Sequence, residues 1–93
     1  MRLKPWEVEA IRREIRSLDP EADLYLFGSR VDDAARGGDI DLLVLSRRIG
    51  DGDGTHLQHR LHQRLGDQRV DLVLAPDKHR PFVRVVLPGA RPL

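Results

Sequence analysis

The sequence contains no cysteine, which excludes disulfides, thiolate catalysis and cysteine-based zinc sites together. It also lacks a charge of dominant sign. Sixteen Lys and Arg stand against fifteen Asp and Glu, a net charge of +1, so no broad basic field points to DNA or RNA. Lysine is scarce, Lys4 and Lys78 being the only two. Arginine carries the positive charge and favours bidentate contacts with phosphate and carboxylate; genomic base composition is an equally open source of that bias. No apolar run approaches membrane-spanning length, and Met1-Arg2-Leu3-Lys4-Pro5-Trp6 lacks the apolar stretch of a signal peptide. A cytoplasmic protein with no membrane partner is expected.

What is present suits one small domain over residues 1–93. Hydrophobic residues make up 40% and charged residues 33%, a globular rather than a disordered balance. Its core is necessarily modest at this length, so partner binding is expected to add to its stability.

Apolar spacing divides the chain into alternating helices and strands. Pro5 suits a first helical turn, and Val8, Ile11, Ile15 and Leu18 recur at helical spacing, leaving Glu7, Glu9, Arg12, Arg13 and Arg16 for the other faces. Asp19-Pro20 ends that helix. Asp23 to Phe27 reads as a strand running into Gly28, and Ser29 to Ala35 as a short helix capped by Ser29 and broken by Gly37-Gly38. Asp39 to Leu45 is a second strand whose Leu42-Leu43-Val44-Leu45 tail is apolar on both faces, as in a covered central strand. Ser46 to Gly54 reads as a loop leading to a Thr55 cap. Leu57, Leu61 and Leu65 then stripe a second helix that Gly66 stops. Arg69 to Leu74 is a third strand, Pro81 starts a last short helix, and the tail beyond Pro88-Gly89 is placed to add an edge strand. An α+β fold follows, a small mixed sheet with helices packed on it.

Three carboxylates interrupt this apolar pattern. Side chains alternate along a strand, so Asp39 and Asp41 share one face while Ile40 and Leu42 turn to the core. Adjacent carboxylates repel unless a cation holds them, and Mg²⁺ takes oxygen ligands of this kind while keeping substrate phosphates. Asp71 lies within the third apolar strand, where an unpaired charge is costly. A Gly28-Ser29 turn entering a helix offers backbone N–H groups to phosphate. Together these residues describe a site for a metal-bound nucleoside triphosphate.

The order Leu26-Phe27-Gly28-Ser29, then Asp39-Ile40-Asp41-Leu42, then Arg69-Val70-Asp71-Leu72-Val73 resembles the signature of the polymerase-beta-type nucleotidyltransferase superfamily. The length is similar to that of its minimal nucleotidyltransferases, commonly encoded beside a HEPN-domain ribonuclease toxin. Some of those act as antitoxins that transfer AMP from ATP to a tyrosine of the toxin. The resemblance implies that Asp39, Asp41 and Asp71 are catalytic and hold two Mg²⁺ ions. It further implies that Gly28, Ser29 and Arg30 bind the nucleotide, ATP, and that a HEPN-type toxin is the protein partner.

Other readings of the same residues stand beside these. Asp39 is a common turn residue after a Gly pair. Asp41 and Asp71 could pair with Arg30, Arg47 or Arg69 instead of a metal, and Arg30 and Arg36 could be solvated. His56, His59 and His62 suggest a solvated helix face, because three-residue spacing drifts around a helix and no cysteine completes a zinc set. Asp51-Gly52-Asp53-Gly54 lacks the later ligands of a calcium loop. Trp6 reads as a core anchor or partner contact rather than a base-stacking platform, and Phe82, Val85 and Leu87 leave self-association open. For function, two alternatives to protein nucleotidylation persist. One is a nucleic-acid end as acceptor; the other is a binding module that neutralises a toxin by contact, with catalysis secondary or lost.

Overall fold

A computed structural model describes residues 3–28, 40–66 and 69–93. Among them are three α-helices and a four-stranded mixed sheet: α1 (Pro5–Leu18), β1 (Asp23–Phe27), β2 (Ile40–Leu45), α2 (Asp51–Leu65), β3 (Val70–Ala75), α3 (Pro81–Val86) and β4 (Arg91–Pro92). The short helix expected over 29–35 lies outside the described residues. Strand order is β3-β2-β1-β4. β1 pairs antiparallel with both β2 and β4, whereas β2 and β3 run parallel. A parallel pair needs a crossover rather than a hairpin, and α2 supplies it. The expected α+β architecture is therefore the observed one.

Alternation along the strands gives the sheet two different faces. Leu24 and Leu26, Ile40, Leu42 and Val44, and Val70 point to one face, where Ile11 and Ile15 of α1 and Leu57, Leu61 and Leu65 of α2 bury them. The other face carries Leu43, Leu45 and Ala75 under Val83 of α3, with Tyr25, Phe27 and Val73 packed beside them. β2 is thus apolar on both sides because it is covered on both sides. Each fully buried Leu or Ile contributes roughly 1.5–3 kcal/mol relative to exposure, and ten large side chains are almost completely buried.

The two helices of the larger layer are also joined by charge. Glu14, only 4% exposed, receives Arg60 Nε at 3.0 Å and Arg64 Nε at 2.9 Å from α2. Glu7, read from spacing as a solvent-face residue, is instead buried. Its carboxylate turns back at the start of α1 to accept the Lys4 N–H at 2.8 Å, satisfying a donor that the helix leaves unpaired. Trp6 is half exposed and so does not anchor the core.

The expected loop from Ser46 to Gly54 is shorter than the sequence suggests. α2 begins at Asp51, with Gly50 rather than Thr55 as its N-cap. Asp53 Oδ2 accepts the Gly50 N–H at 3.0 Å, and a carboxylate in the first turn also complements the helix dipole. This stabilisation overrides two glycines in that turn. Strands β2 and β3 differ from expectation by one residue at their ends, Asp39 lying outside the described residues. The tail forms the expected edge strand: Leu93 donates its N–H to the Leu24 carbonyl at 2.9 Å. Pro92 opposes Tyr25 at the sheet's margin, where a missing N–H is tolerated.

The loop after β2 is fixed by a buried polar knot. The Ser46 hydroxyl donates to Asp19 Oδ2 at 2.5 Å and accepts the N–H groups of Arg48 and Ile49. The Glu21 N–H donates to Asp19 Oδ1 at 3.0 Å. The Ser46 hydroxyl first, then the Glu21 N–H and the Arg48 charge, hold the Asp19 carboxyl below the usual aspartate range, against the opposing effect of burial. A carboxyl whose folded pKa is lowered adds stability above its unfolded pKa and loses it as pH falls. Acidification below about pH 4 should therefore destabilise the protein through this group. In denaturant melts at pH 6 and pH 3, Asp19→Asn is expected to lose less stability between the two than wild type; an equal loss would place the acid sensitivity elsewhere.

Candidate active site

Gly28 ends β1 with φ of +79°, a backbone conformation that side-chain-bearing residues seldom adopt. The same glycine makes a close approach. A Cβ built on it would run into the Oδ2 of Asp41 and lie 3.2 Å from its Cγ. Gly28 therefore lies directly on the Asp41 carboxylate, and a side chain there would meet both backbone strain and that carboxylate.

Asp41 is held there by two pairings. Across the antiparallel side it faces Phe27, the last residue of β1. Across the parallel side it is in register with Asp71. Neighbouring strands lie roughly 4.8 Å apart, so the two carboxylates leave adjacent strands at one level and on one face. That face is the one α3 covers further along, where Leu43 and Val73 form the next row. The carboxylates thus occupy the row next to the one on which Val83 of α3 packs, and both are partly buried.

Asp71 has an arginine neighbour, as one alternative from the sequence allows. Arg69 Nε lies 3.5 Å from Asp71 Oδ1, with the two side chains 73% and 41% exposed. A pair this open and this long contributes at most about 1 kcal/mol, too little to explain a carboxylate inside an apolar strand. Arg47 pairs with Asp77 instead, at 3.4 Å. Asp39, Ser29 and Arg30 lie outside the described residues.

The oxygen donors suit a hard divalent cation. Asp41 and Asp71 offer two carboxylates at one level of the sheet, and Mg²⁺ binds through one or two carboxylates plus substrate phosphates. Among the described residues no group of three His, Cys, Asp or Glu side chains converges; the third expected carboxylate, Asp39, is outside them. His59 and His62 share a recess of about 530 Å³ with Thr55, Gln58 and Arg69, between α2 and the start of β3. Asp51 to Gly54 is the first turn of α2 and not a calcium loop.

Two aromatic residues near the carboxylates escaped sequence reading. Phe27 neighbours Asp41, and its ring meets Phe82 of α3 edge-to-face with centroids 5.8 Å apart. Phe27 carried a signal, since it occupies the strand position before the Gly-Ser turn. Phe82 carried none, because its proximity depends on how α3 folds back over the sheet.

The site is thus a strand that ends at a glycine against in-register carboxylates on the mixed sheet of an α+β domain. The family model of the nucleotidyltransferase domain matches residues 8–92, and the chain belongs to that family. Nucleotide transfer is the chemistry of the family, which typically uses a nucleoside triphosphate and a divalent metal. No curated protein matches the chain. No helix among the described residues is long and apolar enough to cross a membrane.

Gly66 provides a contrast for the turn at Gly28. It also has positive φ, +76°, but nothing lies within 4 Å of a Cβ built there. Gly66→Ala should cost the backbone strain alone, about 1–3 kcal/mol. Gly28→Ala should cost more, because the carboxylate of Asp41 must also move. Urea melts of the two variants test this, and equal losses would mean that the contact with Asp41 is easily relieved.

Proposed function

We propose that the chain transfers AMP from ATP to a hydroxyl of a partner protein, acting as the antitoxin of a HEPN-type toxin. The observation carrying the reading is the row of Asp41 and Asp71 beneath the Gly28 turn, in a chain of the nucleotidyltransferase family. Two features support a protein over a nucleic-acid acceptor: net charge near zero and the resemblance to minimal nucleotidyltransferases.

Asp39, Asp41 and Asp71 are the groups that would hold two Mg²⁺ ions; such ions, when bound, supply positive charge to the entering and leaving oxygens of an in-line displacement. The chain's own part is positioning. Gly28 admits the triphosphate close to the backbone, and Ser29 and Arg30 contact its outer phosphates. Asp71, on the outermost of the three motif strands, accepts the proton of the attacking hydroxyl. That oxygen bonds to the α-phosphorus as the α–β bridging oxygen departs with its electron pair, releasing pyrophosphate.

Asp41→Asn keeps shape and removes charge. It should reduce transfer about 100-fold or more while leaving the metal-free unfolding midpoint unchanged or raised, since repulsion between Asp41 and Asp71 is relieved. The test is incubation with α-labelled ATP and Mg²⁺, with and without the product of the neighbouring gene. Label on that product, lost in Asp41→Asn, is the expected result. Tight binding of the neighbour without label would favour neutralisation by contact, and a fully active Asp41→Asn protein would end the mechanism.

A further inference from the structure

Phe82 exposes 48% of its surface although the next residue, Val83, is buried. A single exposed aromatic is ordinary. Three further observations make this one informative. First, its ring is braced edge-to-face by Phe27, and such pairing adds to burial in fixing ring orientation. Second, Phe27 is the cross-strand neighbour of Asp41, roughly 5 Å away between Cα atoms. Two short steps, from Asp41 to Phe27 and from Phe27 to Phe82, therefore link the carboxylate row to an exposed ring. Third, Phe82 walls a groove of about 560 Å³ with Val73, Pro76, Arg80 and Val83. Val73 is the residue next inward from Asp71 on the same face of β3, so the groove begins one row in from the carboxylates, which do not line it. Its volume is in the range of small-ligand pockets.

We infer that Phe82, braced by Phe27, is the platform on which the base of the bound nucleoside triphosphate stacks. This rests on the proposed nucleotide site and extends it to the base, whose contacts no motif marks. In this arrangement the α-phosphate lies at Asp41 and the base over Phe82. The groove's described walls are mostly apolar, with Arg80 the one charged side chain, which suits stacking. Trp6, the other large exposed aromatic, lies on α1 beyond the opposite face of the sheet and is not available to this site.

The test separates base from phosphate. ATP and inorganic tripolyphosphate are titrated calorimetrically with Mg²⁺ into wild type, Phe82→Ala and Phe82→Trp. Stacking by one base predicts a loss of roughly 5- to 100-fold in ATP affinity for Phe82→Ala, with tripolyphosphate affinity unchanged and ATP affinity retained in Phe82→Trp. Three results would overturn the inference while leaving the phosphate site intact: Phe82→Ala binding ATP as wild type does, wild type binding ATP no tighter than tripolyphosphate, or Phe82→Trp failing like Phe82→Ala. Equal weakening of both ligands in Phe82→Ala would show damage to the fold, and also overturns it. Wild type binding neither ligand would remove the nucleotide site itself, and the base platform with it.

Discussion

A parallel strand pair cannot be closed by a tight turn, and this constraint organises the molecule. β2 and β3 can lie side by side only because α2 carries the chain back across the sheet. α2 must then bury its Leu57, Leu61 and Leu65 stripe, which it does on the face that α1 also covers. Once that crossover is in place, the register of β2 and β3 is strongly specified. A slip of one residue would turn Ile40, Leu42 and Val70 out of the core and Asp41 and Asp71 into it. The juxtaposition of the two carboxylates is therefore a consequence of how the apolar residues on the opposite face are buried.

The two faces of the sheet do different work. The face under α1 and α2 holds most of the apolar burial, and Glu14 with its two arginines fixes how those helices meet. The face under α3 is covered by six residues of helix and a 3-10 turn, which bury Leu43, Leu45 and Ala75 and reach Phe27 in the row beyond. Both Asp41 and Asp71 are partly buried rather than fully buried, which lowers the cost of their charge.

The strands and their carboxylates were legible in the sequence because they depend on local rules. Period-two alternation, a Gly-Ser turn and aspartates inside apolar runs identify β1, β2 and β3 without any knowledge of tertiary contacts, whereas the shared level of Asp41 and Asp71 comes from the register of β2 and β3. The misread positions are those where a distant or unusual partner decides. Glu7 reads as solvent-facing by helical spacing, yet it turns back to the Lys4 N–H. Glu14 is buried because Arg60 and Arg64, nearly fifty residues away, arrive beside it. The start of α2 was hidden by glycines whose propensity cost is offset by Asp53 acting as a cap. Phe82 could not be placed from sequence because nothing local fixes where a six-residue helix lands.

The glycine at 28 joins these lines of reasoning. Positive φ alone would make it replaceable by asparagine at modest cost, as in many turns. The contact with Asp41 adds to that cost, since a side chain would displace the carboxylate. Gly28 and the carboxylate are thus mutually fitted. Under the proposed function this contact has a use: the turn would admit a phosphate that the neighbouring carboxylates hold through a shared cation.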